Sequence, residues 1–546
     1  MLRLCCILTL ILTTGCELEG RTMGAHLAGG RDLLSPTIVW AGSRAFVLFN
    51  QGTEPTELYR VPFDGMGPAA FLDTRFSRYA QTSRSGYLVI DDSPTVSVFD
   101  LESASLVGSV SGSFEQLQAD NLLISSTLEQ SIVHSLVPLP NGIGTDVGEL
   151  LQSWLAPSGR LYFLKKDGTF ASFEPSSGLL QESSQLVKTF LVSPDERFVV
   201  IQELHNSLPG KPDPTAYRLL DRSGKSERGI LPLHNPYCWT CDWLGFSPDS
   251  QRFYYAENSP QDPGLIYQVE AETNQVLSVQ TRPGPQADTL LWNPAGDFAL
   301  VGERACGIED NGCQAQYRST LQIDPLLQPI STGMTHATLS ADGRYVLFRD
   351  ALKGGRLLVA STTSLSPDPS ASAELLWPEG SEVDGSTFDT TTATAIFWAR
   401  PEVPTVISVS YTPRGNLYAA SAPEFRVRRL AEAADAVAIG PGLAVALVRV
   451  SAQDLTGELV LYDLGSGHER TLAAPVSSFW ATLACPNPGP PAPKARWQLL
   501  GSEPPQSTEM VAPPGCPADS PLLVVFTVRG RVKSDKDGLW ALTIQP

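Results

Sequence analysis

The stretch Ser193-Pro194-Asp195-Glu196-Arg197-Phe198-Val199-Val200-Ile201 reads as a turn that runs straight into a buried strand. Proline presets φ at the second turn position, and an Asp side chain bonds the backbone just ahead of it. An unbroken run of aromatic and β-branched residues then suits a strand covered on both faces. The pattern recurs as APSGRLYFL from Ala156, SPDSQRFYYA from Ser247, NPAGDFALV from Asn293 and SADGRYVLF from Ser340. A second strand ending in a turn often follows, as in VSVFDLESA from Val96, LIYQVEAETN from Leu265 and LVLYDLGSG from Leu459. Weaker copies begin near Ile38, Gln81, Ala119, Thr391 and Val437, and LLVVFTVRG with GLWALTIQP forms a last pair. KKDGTF at 165–170 carries the Asp-Gly signal of a tight hairpin. Almost nothing reads as a long amphipathic helix.

The units number about eleven, with a period on the order of 45 residues, the size of a four-stranded propeller blade. The Ser-Pro-Asp-x-x-aromatic-apolar pattern resembles the WD40-like (PD40) repeat of TolB-type periplasmic proteins and of prolyl-oligopeptidase propellers, with its strong copies over about residues 155–350. The resemblance implies an all-β propeller. Eleven units exceed a common single ring, so the expectation is two tandem propellers, 36–230 and 231–546, the second including a Pro-rich loop at 486–515. One large propeller with extra hairpins is the alternative, and an all-β sandwich array is a third arrangement. The pattern specifies fold and leaves function open.

The chain starts MLRLCCILTLILTTGCELEG. Arg3 gives a short positive region, and Leu4 to Leu12 is an apolar run of signal-peptide length, too short to span a bilayer, which needs about 20 residues. Thr13, Thr14 and Gly15 precede Cys16. This resembles a bacterial lipoprotein signal, with Thr13 where the usual pattern has Leu. It implies a signal peptide at 1–15, lipid on Cys16, and a tether over 16–35. Multiple acyl chains anchor firmly where one does not. Glu17, rather than Asp, follows the Cys, which favours the outer membrane, on its periplasmic side or at the cell surface. An ordinary secretory signal is the alternative.

An exported chain sits where disulfides persist. Of nine Cys, Cys5 and Cys6 leave with the signal peptide and Cys16 is the anchor. The remaining ones fall into three local couples, Cys238–Cys241, Cys306–Cys313 and Cys485–Cys516, and these are the expected disulfides. The last would close the Pro-rich loop and contribute about 3–4 kcal/mol in the chain-entropy model. CWTC at 238–241 also has redox-motif spacing, but it sits in a loop-and-strand context rather than at a helix N-terminus. A zinc site would need two more ligands, such as His234 with Cys306 or Cys313.

Asp and Glu number 58 against 39 Lys and Arg, a formal charge of −19. This excludes non-specific nucleic-acid binding and docking on anionic lipid by charge alone. Acids recur near the ends of equivalent strands: Asp92, Glu203, Glu257, Glu303 and Asp350. On one face they would form an acidic binding rim for a cation or a basic partner; as solvated strand ends they would do nothing further.

No GxSxG, HExxH, P-loop or Rossmann fingerprint occurs, and the scattered His residues form no motif. DKDG at 535–538 lacks the rest of an EF-hand loop. Glu203 and His205 share a strand face without further metal ligands. Trp239, Trp243 and Trp292 fit blade cores or sugar stacking. The sequence therefore points to no catalytic residue, metal or cofactor. The expected function is a non-enzymatic, TolB-like envelope scaffold or receptor that binds a protein partner. A carbohydrate-binding surface protein is the second reading, and a hydrolase or lyase with a channel site is the third.

Overall fold

The computed structural model describes residues 24–29, 33–51, 57–73, 79–83, 85–128, 131–140, 144–203, 217–222, 227–231, 240–258, 265–281, 287–293, 298–304, 315–322, 328–350, 356–363, 373–377, 383–389, 391–399, 415–434, 436–440, 442–450, 456–484, 520–529 and 537–545. Among the described residues none is helical. The strands form antiparallel up-and-down meanders of the β-propeller type. Five sheets have four strands and cover 33–73, 79–111, 113–148, 240–281 and 383–434. Three have seven and cover 150–230, 287–377, and the strands between 436 and 544 joined by Ala25–Gly29.

Among the described residues, the expected eleven or so separate units in two tandem propellers are corrected to eight sheets. Turn motifs mark where a strand reverses, so counting them misses strands that run on. Leu179–Val192 is such a strand: Leu179 to Leu186 pairs back to Thr169–Glu174, and Val187 to Val192 pairs forward to Phe198–Glu203. Gln328–Leu339 and Glu469–Leu483 do the same in the other two fused sheets. Nor does the chain divide near residue 230. The described residues fall into two compact units: those within 1–111, 380–489 and 505–546 form one, and those within 112–379 form the other. Within the segment expected as tether, 16–35, Ala25–Gly29 and the start of Leu33–Ala41 are strands of the first unit.

In the middle unit, Phe198–Glu203 is buried along its whole length. Phe198 and Val200 pack with Phe253 and Tyr255 of the next meander, while Val199 and Ile201 pack with Tyr162 and Phe170 of the preceding one. A strand between two neighbours must be apolar on both faces, which is why its sequence does not alternate. Each such side chain contributes about 1.5–3 kcal/mol. In the other unit, Ala444, Ala446 and Val448 pack with Ile396 and Trp398, and Val445 and Leu447 pack with Val524 and Phe526.

The Ser-Pro-Asp turn is a repeated hydrogen-bond knot. The buried Ser193 hydroxyl donates to Asp195 Oδ1 (2.8 Å) and accepts from the Phe198 N–H (3.0 Å), while the Arg197 N–H donates to the same Asp oxygen (3.1 Å). Ser247 with Asp249, and Ser340 with Asp342, repeat these bonds. The fourth turn residue has positive φ in each copy, 60° at Glu196, 61° at Ser250 and 68° at Gly343. The hairpin expected at 165–170 is present: Gly168 has φ 85° and the Thr169 N–H bonds Asp167 Oδ1 at 2.9 Å.

The last strand of many meanders is bulged against the one before it, as between Leu219 and Leu220, Gln268 and Val269, Val98 and Phe99, and Leu58 and Tyr59. Bulges twist an open edge away from pairing with another chain.

Candidate functional site

In the middle unit the turns are stapled to one another. Glu196, fourth in its turn, accepts from the Ser158 N–H (Oε1, 2.9 Å) and from the Ser158 hydroxyl (Oε2, 2.5 Å) in the preceding turn. The Asp195 N–H donates to Ser250 Oγ of the following turn (3.0 Å). Farther along, Asn293 Nδ2 donates to the Ala341 carbonyl (2.8 Å). In the other unit, the Gly442 N–H bonds Asp389 Oδ2 of the neighbouring turn at 3.0 Å.

Beside these staples lies an open cleft of about 460 Å³ lined by Arg160, Gln181, Arg197, Asp221, Arg222 and Glu272, with Phe198 at its floor. Arg160 is held by Glu174 (2.7 Å) and Arg197 by Asp195 (2.5 Å). Arg222 stands 3.8 Å from Glu196 and 4.0 Å from Glu174, and Arg197 stands 3.6 Å from Glu272. Burial pushes the Asp195 carboxyl up, but hydrogen bonds from Arg197 and Ser193 outweigh it and leave it below the ordinary range. Asp342 is lowered through the same balance, with Ser340 and Arg344 as its donors. The hydrogen bond to Asp195 raises Arg197. Burial, with the Glu196 charge second, pushes Tyr162 up to about 12. The cleft thus offers fixed charges of both signs on rigid turns, an arrangement suited to polar contacts with a protein surface. The sequence carried a signal for it: Arg closes the turn in APSGR, SPDER and SADGR.

Two acids of the expected rim have partners on the adjacent strand. Glu203 is 8% exposed and accepts from Arg218 Nε at 2.5 Å on the adjacent strand. Glu257 is 5% exposed and accepts from the Tyr267 hydroxyl at 2.9 Å. These two serve their own meanders. Glu303 and Asp350 occupy equivalent register positions, opposite Ala287 and Met334, but their side chains lie outside the described residues. Asp92 closes Tyr87–Asp92 in the other unit.

Cys241 lies in the strand Thr240–Phe246, opposite Glu257. Cys16, Cys238, Cys306, Cys313, Cys485 and Cys516 lie outside the described residues, as do Trp239 and His205. Trp292 packs edge-on against Tyr254 (5.5 Å, 62°), a blade-core contact. Among the described residues no group of three His, Cys, Asp or Glu is placed to hold a metal ion, and no helix is long and apolar enough to cross a membrane.

No family model matches the chain. No curated protein matches it either. Among solved structures, the chain is similar to the dihydro-heme d1 dehydrogenase NirN in complex with DHE, at 15% identity over 63% of this chain and 73% of that one, with a TM-score of 0.32. A eukaryotic initiation factor is similar at 10% identity over 81% and 96%, with a TM-score of 0.39. The β-propeller domain of Myceliophteria thermophila Cps50 (Swd1) is similar at 12% identity over 53% and 97%, with a TM-score of 0.25. Likeness at these values carries no argument about what the chain binds.

Proposed function

We propose that this chain is a cell-envelope lipoprotein, anchored through Cys16, whose propeller is a non-enzymatic scaffold or receptor for an envelope protein partner. The reading is carried by the lipidation pattern ending at Cys16, set only a few residues ahead of the first strand, Ala25–Gly29. The turn-borne cleft with Arg160, Arg197 and Arg222 supports it, because its charges are fixed by neighbouring acids and present a patterned polar surface. The TolB-like repeat supports it by resemblance. The outer membrane is the proposed location, and the six remaining Cys form disulfides there.

The test is in-cell crosslinking and affinity purification of the C-terminally tagged protein, with Cys16→Ser as control. A defined partner protein, lost or reduced in the control, is the expected result. Absence of any partner from both forms would overturn the scaffold reading and send the purified protein to glycan and metal screens.

A further inference from the structure

The segment Phe63-Asp64-Gly65-Met66-Gly67-Pro68-Ala69-Ala70-Phe71 joins the third and fourth strands of the first four-stranded sheet. It is apolar apart from Asp64, yet it faces solvent: Met66 is 81% exposed and Phe71 46%. It is also held in place. The Gly65 N–H bonds the Pro62 carbonyl (3.1 Å), the Gly67 N–H bonds the Gly65 carbonyl (3.0 Å), and the Met66 N–H bonds Asp64 Oδ1 (2.8 Å). Arg44 lies 3.7 Å from Asp64, and the Phe71 ring leans edge-on against Tyr59 at 5.7 Å. Met66 and Phe71 thus stand in solvent on a loop whose backbone is held in place.

The loop sits beside the start of the first strand. A Cβ on Gly65 would lie 3.7 Å from Leu27 Cδ2 and 3.9 Å from Ala25 Cβ. That strand is tied into its sheet opposite Gly538–Ile544, with Ala25 across from Ala541. Residues 17–23 are all that separates Cys16 from Gly24, and even fully extended they reach about 28 Å. A lipid on Cys16 therefore keeps this corner of the unit within that distance of a bilayer, whatever the rest of the molecule does.

We propose that the 63–71 loop is a membrane-contact surface, with Met66 and Phe71 entering the boundary between headgroups and acyl chains of the bilayer that holds the Cys16 lipid. The proposal rests on the lipoprotein reading. The partner is a lipid surface rather than a protein because the tether length and its end point bring the loop to lipid. The net charge of −19 opposes attraction to anionic headgroups, so the contact is apolar and complements the anchor, as a second weak signal does for a lipidated protein. The contact fixes which face of the unit looks away from the membrane.

The experiment places a benzoylphenylalanine photocrosslinker by Met66→benzoylphenylalanine in the full-length protein purified from membranes. The control is Ser93→benzoylphenylalanine, in the turn between the second and third strands of the neighbouring sheet, which is the opposite end of a meander. Both go into vesicles of phosphatidylethanolamine and phosphatidylglycerol with labelled acyl chains. The expected result is lipid adducts several-fold more abundant from position 66 than from 93. Equal yields, or protein adducts alone, would overturn the membrane contact. The mass of the N-terminal peptide tests the anchor separately. If Cys16 carries no lipid, the anchor reading fails, and the loop is judged on the Cys16→Ser protein added to the same vesicles. Adducts from 66 then retain the contact, and none overturns it.

Discussion

Glu196 holds Ser158 by both of its carboxylate oxygens, 2.9 Å to the backbone N–H and 2.5 Å to the hydroxyl, so that one turn of the middle unit grips the turn before it. The grip comes from a residue whose own backbone is in the left-handed region, at φ 60°. A non-glycine residue there costs about 1 kcal/mol, and the two bonds to Ser158 offset it. Position four of the turn is thus filled for its reach into the neighbouring blade.

Glu196→Ala leaves the Ser158 N–H and hydroxyl without their acceptor and should destabilise the protein by about 2 kcal/mol. Ser158→Ala should cost less, because the backbone bond survives. A double-mutant cycle read by chemical denaturation should give a coupling of about 1 kcal/mol. Zero coupling would show that the staple adds nothing to stability.

The Asp195 and Asp342 carboxyls are held below their ordinary range. A carboxyl with a lowered folded pKa adds stability that is complete above the unfolded value, about 3.9 for Asp, and is lost as pH falls through the folded value. Thermal stability should therefore decline as pH drops below about 4. Asp195→Asn with Asp342→Asn should lower the neutral-pH midpoint and flatten that decline. An unchanged acid limb in the double variant would refute the assignment.

Glu203 and Arg218 form a largely buried pair on adjacent strands. Glu203→Ala removes the carboxylate to which the Arg218 guanidinium donates and should cost about 3 kcal/mol. Glu203→Gln, which keeps an acceptor, should cost less. If the carboxylate serves its own meander, the loss appears in the unfolding midpoint and is insensitive to added salt. A variant of unchanged stability that loses partner binding would support the rim.

Gly86 has φ 90°, and a Cβ there would lie 2.5 Å from Ala41 Cβ and 2.8 Å from Ala41 Cα at the end of the strand Leu33–Ala41. Gly178 has φ 65° with open space around it. Gly178→Ala should cost about 1 kcal/mol, from backbone strain alone. Gly86→Ala should cost more than about 2 kcal/mol, because backbone must move as well. Equal losses would show that the turns of the two sheets are not packed as described.

The strand content of this fold was legible because its turns carry their own chemistry. Ser193, Asp195 and the apolar run after them state locally what each residue does, and the structure uses them so. The sheet count was not legible. Nothing in LLQESSQLVKTFLV distinguishes a strand that ends from one that continues past Leu186, since both halves suit a strand and the choice lies in which neighbours each half finds. The partners of two of the acids were not legible for a related reason. Glu203 and Glu257 stand at strand ends in the sequence, and only the register of the adjacent strands, which sets Arg218 opposite Ile201 and Tyr267 opposite Tyr255, brings a donor diagonally within reach of each. The arginine cleft was partly within reach, because Arg160 and Arg197 close the same turn motif, but single copies looked like ordinary polar turn ends.

The first described strand, Ala25–Gly29, finds its hydrogen-bond partner at residues 538–541. On the ribosome these segments emerge about 500 residues apart, so the sheet they share cannot be completed until residues 538–541 have been made. Residues 112–379 face no such wait, since the described residues of that unit come from one continuous stretch. Maturation should therefore be ordered, with the middle unit acquiring protease resistance first and the outer unit last. During that interval the unpaired edge of Gly538–Ile544's sheet is the part of the molecule that most needs a chaperone.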